Sequence, residues 1–279
     1  MRIAYQIGLH NKEWQFQWLF DALYNSDDLF AIHVDSKAAD STMDAVYKVA
    51  GNKPNVHFQE RRSVIYGDWQ LCQVELDGIK HFLTNRHTWD FFINLSGQDY
   101  PLKPRQKIVD ELGENRESNF INMIHLDTLP AYFRRRIRWF CFRVGDRFIR
   151  TPVPWRKPSH IKLHWHGSAW HILSRDFCEW VVSDRLAQEC MLFLKHVKLS
   201  NEFLMQTLIM NSPFIYTLVP SYRRKMFWRY HSPHPETLTM KHLPALVNSD
   251  AMFARKFDAH VDKQILHALA ERNGFRTSR

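Results

Sequence analysis

Apolar residues in this chain gather in short runs separated by polar turns, and the runs are of two kinds. Ile3 to Leu9, Leu29 to Val34, Val56 to Gln59 and Phe91 to Leu95 are compact, mainly apolar stretches, the form taken by strands covered on both faces. Between them lie segments with helical spacing. Glu13 to Tyr24 carries Trp14, Trp18, Phe20, Leu23 and Tyr24, and Ser41 to Val49 is a second such segment. Trp69 to about Leu83 places Leu71, Val74, Leu76, Ile79 and Phe82 at helical positions behind Asp68, a predicted N-cap. Strand–helix alternation with short connections predicts an α/β fold: a Rossmann-like, mostly parallel sheet flanked by helices.

Phe120 to Ile124 reads as one more strand. From about Asp127 to Pro158 the periodicity fails. This stretch is basic and aromatic, with Pro152, Pro154 and Pro158 near its end, and a long irregular loop is expected there. Order returns at Leu163 to Leu173. Helical segments follow at Arg175 to Ser183 and Glu202 to Met210, with a final helix near Val261 to Arg272. No repeat, low-complexity tract or linker interrupts the chain, so a single domain over residues 1–279 is expected.

Composition narrows the picture. Of 279 residues, 45% are hydrophobic, enough for one large α/β core. Twenty Phe and ten Trp serve that core, and ring faces also suit stacking on pyranoses. A net charge of +9 favours anionic partners: nucleic acid, nucleotide phosphates or an anionic membrane face. The densest cluster is Arg134, Arg135, Arg136, Arg138, Arg143, Arg147 and Arg150. Cys72, Cys141, Cys178 and Cys190 show no paired spacing. The first residues lack a signal-peptide pattern, and no apolar stretch approaches the roughly 20 residues that span a bilayer. A cytoplasmic protein with four free thiols is the expectation.

Polar residues at the strand ends carry the candidate chemistry. In open α/β sheets ligands bind beyond the carboxyl ends of strands, which is where Asp35 and Asp99 fall. Gly67 permits a tight turn into a helix N-terminus, and such a terminus favours an anion. His164 and His166 stand two apart and could share a metal, but no third ligand lies nearby in sequence. Glu202 opens a helical segment, where an acidic side chain also complements the helix dipole. Taken singly, each of these has a plainer structural reading as a cap, a turn or a surface charge.

Several blocks occurring in order decide between those readings. Asn94-Leu95-Ser96-Gly97-Gln98-Asp99-Tyr100-Pro101-Leu102, Ile32-His33-Val34-Asp35-Ser36-Lys37, Tyr66-Gly67-Asp68-Trp69, Gly167-Ser168-Ala169-Trp170, Asn201-Glu202-Phe203 and Phe253-Ala254-Arg255-Lys256-Phe257-Asp258 resemble blocks of the core-2/I-branching β-1,6-N-acetylglucosaminyltransferases and the related peptide O-xylosyltransferases. The resemblance runs from Ile3 to Asp258. It implies a GT-A type glycosyltransferase fold, with a nucleotide-sugar-binding part over about residues 1–125 and an acceptor and catalytic part over about 126–279. It also implies an inverting mechanism with Glu202 as catalytic base. Asp35, Gly67, Asp99, Gly167, Ser168, Arg255 and Lys256 fall on the nucleotide-sugar side, Lys256 at the diphosphate. Trp69, Trp165 and Trp170 are the aromatics assigned to the acceptor. Two positions depart from the pattern: Asn201 replaces an acidic residue and Phe203 a Ser. The family's upstream diphosphate arginine has only Arg223, Arg224 and Arg229 as candidates here.

No Asp-x-Asp triplet occurs in the chain. Together with the resemblance, this implies no metal and no cofactor beyond a UDP-sugar donor, with UDP-N-acetylglucosamine expected and UDP-xylose the alternative. The expected acceptor is a glycan or lipid-linked glycan of a bacterial type of member, with peripheral membrane contact and no nucleic acid. A nucleic-acid-binding protein or a non-catalytic sugar-binding relative are the readings from other classes. The first would account for the charge but not for the ordered blocks.

Overall fold

β1 (Ile3–Leu9) and β2 (Leu29–Val34) are buried along almost every residue, as their mainly apolar runs require. The structure is a computed structural model and describes residues 1–84, 88–229, 232 and 234–275. β1 and β2 pair in parallel from Ala4↔Leu29 to Leu9↔Val34, and β3 (Val56–Phe58) joins β2 in the same sense. Parallel pairing needs crossovers, supplied by α1 (Glu13–Leu23) and α2 (Asp40–Ala50). α1 buries Phe16, Trp18, Leu19, Phe20 and Leu23, and Phe20 meets Phe30 edge-on at 5.4 Å. These elements belong to the first of two compact units, formed by residues 1–61, 94–116 and 223–279.

Residues 62–93 and 117–222 form the second unit. It opens with α3 (Gln70–Thr84), whose apolar positions Val74, Leu76, Ile79 and Phe82 are buried while Leu71 is not. The chain then crosses from one unit to the other along β4 (Phe91–Ser96), and β5 (Asp99–Pro101) and α4 (Arg105–Gly113) follow in the first unit. The expected strand at Phe120–Ile124 is two: β6 (Asn119–Ile121) and the short β7 (Ile124–His125).

The expected irregular loop over 127–158 contains regular structure. It holds α5 (Ala131–Arg136) and an antiparallel hairpin of β8 (Trp139–Val144) and β9 (Arg147–Pro154). Gly145, at φ 55°, makes the two-residue turn with Asp146. The hairpin has no apolar/polar alternation because Arg and aromatic side chains share both faces. Pro152 and Pro154 lie on β9, which has no second neighbour among the described strands, and an edge strand tolerates proline.

β10 (Trp165–His166) pairs with β7. β11 (His171–Ser174) runs antiparallel to both β6 and the first half of β4. α6 (Arg175–Ser183), α7 (Arg185–Leu194) and α8 (Leu204–Asn211) pack beside them, and β12 (Leu218–Val219) extends β6 in parallel. The pattern of apolar positions does not predict α4 or α7. α7 is capped by Asp184, whose carboxylate accepts from Leu186 N at 2.7 Å.

The first unit closes with β13 (Arg224–Lys225), α9 (Leu243–Val247), β14 (Phe253–Arg255) and α10 (Gln264–Asn273), the last beginning three residues after Val261. β13, β14 and β5 form a small sheet. Trp18, Tyr100, Phe257, Ile265, Leu266 and Leu269 make a fully or nearly buried cluster around it. The whole is an α/β fold with a mostly parallel sheet, as expected. All four cysteines are buried and unpaired. Among the described residues no helix is long and apolar enough to cross a membrane.

Candidate active site

Leu199 takes φ 59°, and Ser200–Glu202 form a single 3-10 turn that runs into α8. Glu202 therefore lies just ahead of α8 rather than in its first turn. Two glycines expected near the donor instead fix this turn. Leu199 N donates to Gly67 O at 2.8 Å, and Gly167 N donates to Glu202 O at 2.9 Å. Gly67 has φ 86°, which disfavours any side chain. A Cβ on Gly167 would stand 1.9 Å from Asn122 O. Ser168 N donates to Asn122 Oδ1 at 3.1 Å, and Ser168 O accepts from Gln206 Nε2 at 2.9 Å. Gly167→Ala is thus expected to lower stability by about 1–3 kcal/mol through overpacking, read as a shifted urea midpoint. An unchanged midpoint would contradict this packing.

The Glu202 carboxylate is held at one oxygen. Arg136 Nη1 donates to Oε2 at 2.7 Å, and His166 Nε2 lies 2.9 Å from the same atom. Arg136, in the last turn of α5, lies over the Phe133 ring at 4.4 Å. His166 stands edge-on to Phe133 and Phe203, at 4.8 and 5.0 Å. Charge-assisted bonds of this kind orient a carboxylate strongly. Oε1 has no hydrogen-bond partner among the described residues, and the side chain is about a quarter exposed. Tyr66, largely exposed, has its phenol pushed to higher pKa by partial desolvation and then by the Glu202 charge. Arg136, Phe133 and Tyr66 were not among the residues expected here. Arg136 and Phe133 lie in the stretch whose helix the pattern did not reveal.

Gly67 does not leave an open anion site at the start of α3. Asp68 Oδ1 accepts from Gln70 N at 2.9 Å, and its other oxygen pairs with Arg143 at 3.2 Å, so the protein's own carboxylate caps that end. Trp69, assigned to the acceptor, lies just ahead of α3, is buried and donates to Gln73 Oε1 of that helix. Trp165 meets His125 edge-on at 4.9 Å on the β7–β10 ribbon. Trp170, half-buried, donates its backbone N–H to Ser168 Oγ. His164 and His166, which their spacing would allow to share a metal, have different neighbours: His166 lies beside Glu202, while His164 is exposed and stacks with His125.

In the first unit the cations sort themselves by burial. Asp99 is fully buried, accepts from Ser96 N, and pairs with Arg224 Nε at 3.1 Å. Its cross-strand partner Arg255 turns inward toward the same carboxylate, Nε to Oδ1 4.0 Å. Asp99 and Arg255, both expected at the nucleotide, are therefore engaged with each other's neighbourhood and with Arg224, and they tie β5, β13 and β14 together. Lys256 is the outward member of its block. It lines a cavity of about 480 Å3 with Arg229, Glu236, Lys241 and Thr239. Partial burial, then Lys12 and Arg255, push its ammonium below the ordinary lysine range, with Asp258 opposing. Asp258 itself is held by Lys12 at 2.7 Å and by the Trp14 indole at 3.1 Å. Of the three candidate diphosphate arginines, Arg229 lines this cavity and Arg224 is buried on Asp99. Asp35 ends β2 as expected. Its carboxylate accepts from Lys37 N at 2.8 Å, and it lies near His10 at the end of β1.

Comparison with known proteins identifies the family of the chain. The family model described as Core-2/I-Branching enzyme matches residues 3–248. Beta-1,3-galactosyl-O-glycosyl-glycoprotein beta-1,6-N-acetylglucosaminyltransferase 3 of Rattus norvegicus is 28% identical over 208 residues, covering 74% of this chain and 46% of that protein. Xylosyltransferase 2 of Rattus norvegicus is 30% identical over 297 residues, covering 96% and 33%. The chain thus spans about a third to a half of the length of these relatives. Among solved structures, the apo crystal structure of mouse xyloside xylosyltransferase 1 is similar with a TM-score of 0.47 at 11% identity, covering 91% of this chain and 97% of that one. With the family model matched from residue 3 to residue 248, the chain belongs to the Core-2/I-branching enzyme family.

Proposed function

We propose that this protein is an inverting, metal-independent glycosyltransferase that moves a sugar from a UDP-sugar to a hydroxyl of an acceptor glycan. The observation that carries this reading is the Glu202 carboxylate, anchored through Oε2 by Arg136 and His166, with no partner at Oε1 among the described residues. Oε1 takes the proton of the acceptor hydroxyl while that oxygen bonds to the anomeric carbon. The bond from that carbon to the UDP oxygen breaks in the same step, on the opposite face, and the product is a β-linkage. A diphosphate leaves without an acid once its growing charge is met, and Lys256 supplies that charge, with Arg229 beside it in the same cavity. Asp35, at the end of a parallel strand, is the group we assign to the nucleoside.

UDP-N-acetylglucosamine is the donor we favour, with UDP-xylose the alternative. Both kinds of relative lie at similar identity to this chain. The acceptor is assigned to glycans or lipid-linked glycans. Four buried thiols fit a reducing, cytoplasmic setting. A panel of UDP-sugars tests the reading, scored for thermal stabilisation and slow hydrolysis with and without EDTA. One UDP-sugar should stabilise and turn over equally in both. Activity lost in EDTA and restored by Mn2+ would overturn the assignment of leaving-group charge to Lys256.

A further inference from the structure

Between Pro130 and His160 the chain carries nine Arg and Lys against a single acidic residue, Asp146, a net +8 of the whole chain's +9. Of the nine, Arg136 bonds Glu202, Arg143 bonds Asp68 and Ser63, Arg134 donates to Leu126 O and Lys157 to Ile161 O, all inside the second unit. Arg134, Arg135, Arg138, Arg147 and Arg150 remain exposed.

The β8–β9 register sorts the hairpin into two faces, because directly opposed residues project to the same side. Cys141 with its opposed Arg150, and Arg143 with Phe148, mark one face. Cys141 is buried, its N–H donating to His196 O, and Arg143 is anchored as described, so this face is packed. The opposed pairs Phe142/Ile149 and Val144/Arg147 mark the other, with Val153 further along β9 on the side of Ile149. Phe142, Ile149, Val144 and Val153 are 36%, 39%, 52% and 56% exposed. A soluble surface rarely groups apolar side chains in this way without a partner.

We infer that this hairpin is a peripheral docking surface for an anionic lipid leaflet. Arg147, on the same face, meets headgroup phosphates, and Phe142, Val144, Ile149 and Val153 enter the interfacial layer. Nucleic acid offers the same phosphates, but Val and Ile stack on no base, so their exposure favours lipid. The inference goes beyond the transfer reaction and does not depend on it.

Flotation of the full chain with vesicles tests it. Binding is expected to phosphatidylcholine vesicles containing phosphatidylglycerol, weakening as salt rises, and not to phosphatidylcholine alone. An arginine at an anionic surface strengthens partitioning about fivefold, so Arg147→Ala, on the face of Phe142 and Ile149, should weaken binding by about that factor. The double change Val144→Ser/Ile149→Ser should also weaken it several-fold. These side chains are exposed, so melting temperatures should stay near wild type, and UDP-sugar hydrolysis without vesicles should be unaffected. Three results would overturn the proposal: no binding to the anionic vesicles, binding indifferent to the Val144/Ile149 change, or tighter binding to generic duplex DNA than to the vesicles.

Discussion

Glu202→Gln is expected to lower kcat by about 10²–10⁴-fold, the range general-base catalysis contributes. UDP affinity should change little, because no nucleotide contact is assigned to Glu202. The change keeps the shape of the side chain but removes its charge and its basicity. Arg136 then faces a neutral amide, so a fall in kcat without loss of fold separates chemistry from packing. Thermal melting within a few degrees of wild type is the accompanying control. Near wild-type turnover in the variant would mean that Glu202 is not the base.

The second large effect is expected at Lys256. Lys256→Ala removes a charge-assisted contact to an ionised phosphate, about 1.5–3 kcal/mol, or roughly 10- to 150-fold in UDP affinity by calorimetry. A loss in kcat should accompany it, since leaving-group charge grows in the transition state. The pH dependence has a definite sign. Partial burial, Lys12 and Arg255 together depress the Lys256 pKa, so its charged form is lost at lower pH than for an ordinary lysine. UDP binding should therefore weaken as pH rises, earlier than an unperturbed lysine would allow, and Lys256→Arg should flatten that dependence. Arg255→Ala is the paired control. Arg255 is turned toward Asp99, so its loss should lower stability and leave UDP affinity within a few-fold. The opposite outcome would place the phosphate contact one residue earlier.

Much of the fold was legible in the sequence because several of its strands are buried along nearly their whole length. β1, β2 and β4 announce themselves as apolar runs, and α3 by its buried stripe. The β8–β9 hairpin was not legible. Its side chains are sorted by partner rather than by polarity: Arg143 points to an internal carboxylate, while Phe142 and Val144 face outward. The candidate site divided along the same line. Glu202 and Lys256 sit in ordered motif blocks, which a sequence reading can single out. Arg136 could not be singled out from its neighbours Arg134 and Arg135, since only the turn of α5 selects which of the three reaches Glu202. Asp99, Arg255 and Trp69 looked like ligand contacts at strand and helix ends. Burial gives them internal partners instead, which sequence position alone does not reveal.

The anomeric configuration of the released sugar tests the central claim most directly. UDP-N-acetylglucosamine carries its sugar in the α configuration, and slow hydrolysis by this protein puts water in the place of the acceptor. Proton NMR, recorded before the free sugar equilibrates, reads which anomer forms first. A single displacement driven by Glu202 predicts β-N-acetylglucosamine as the first product, with its formation rate cut by Glu202→Gln. An α product formed first, or β product formed equally fast by the variant, would contradict the account.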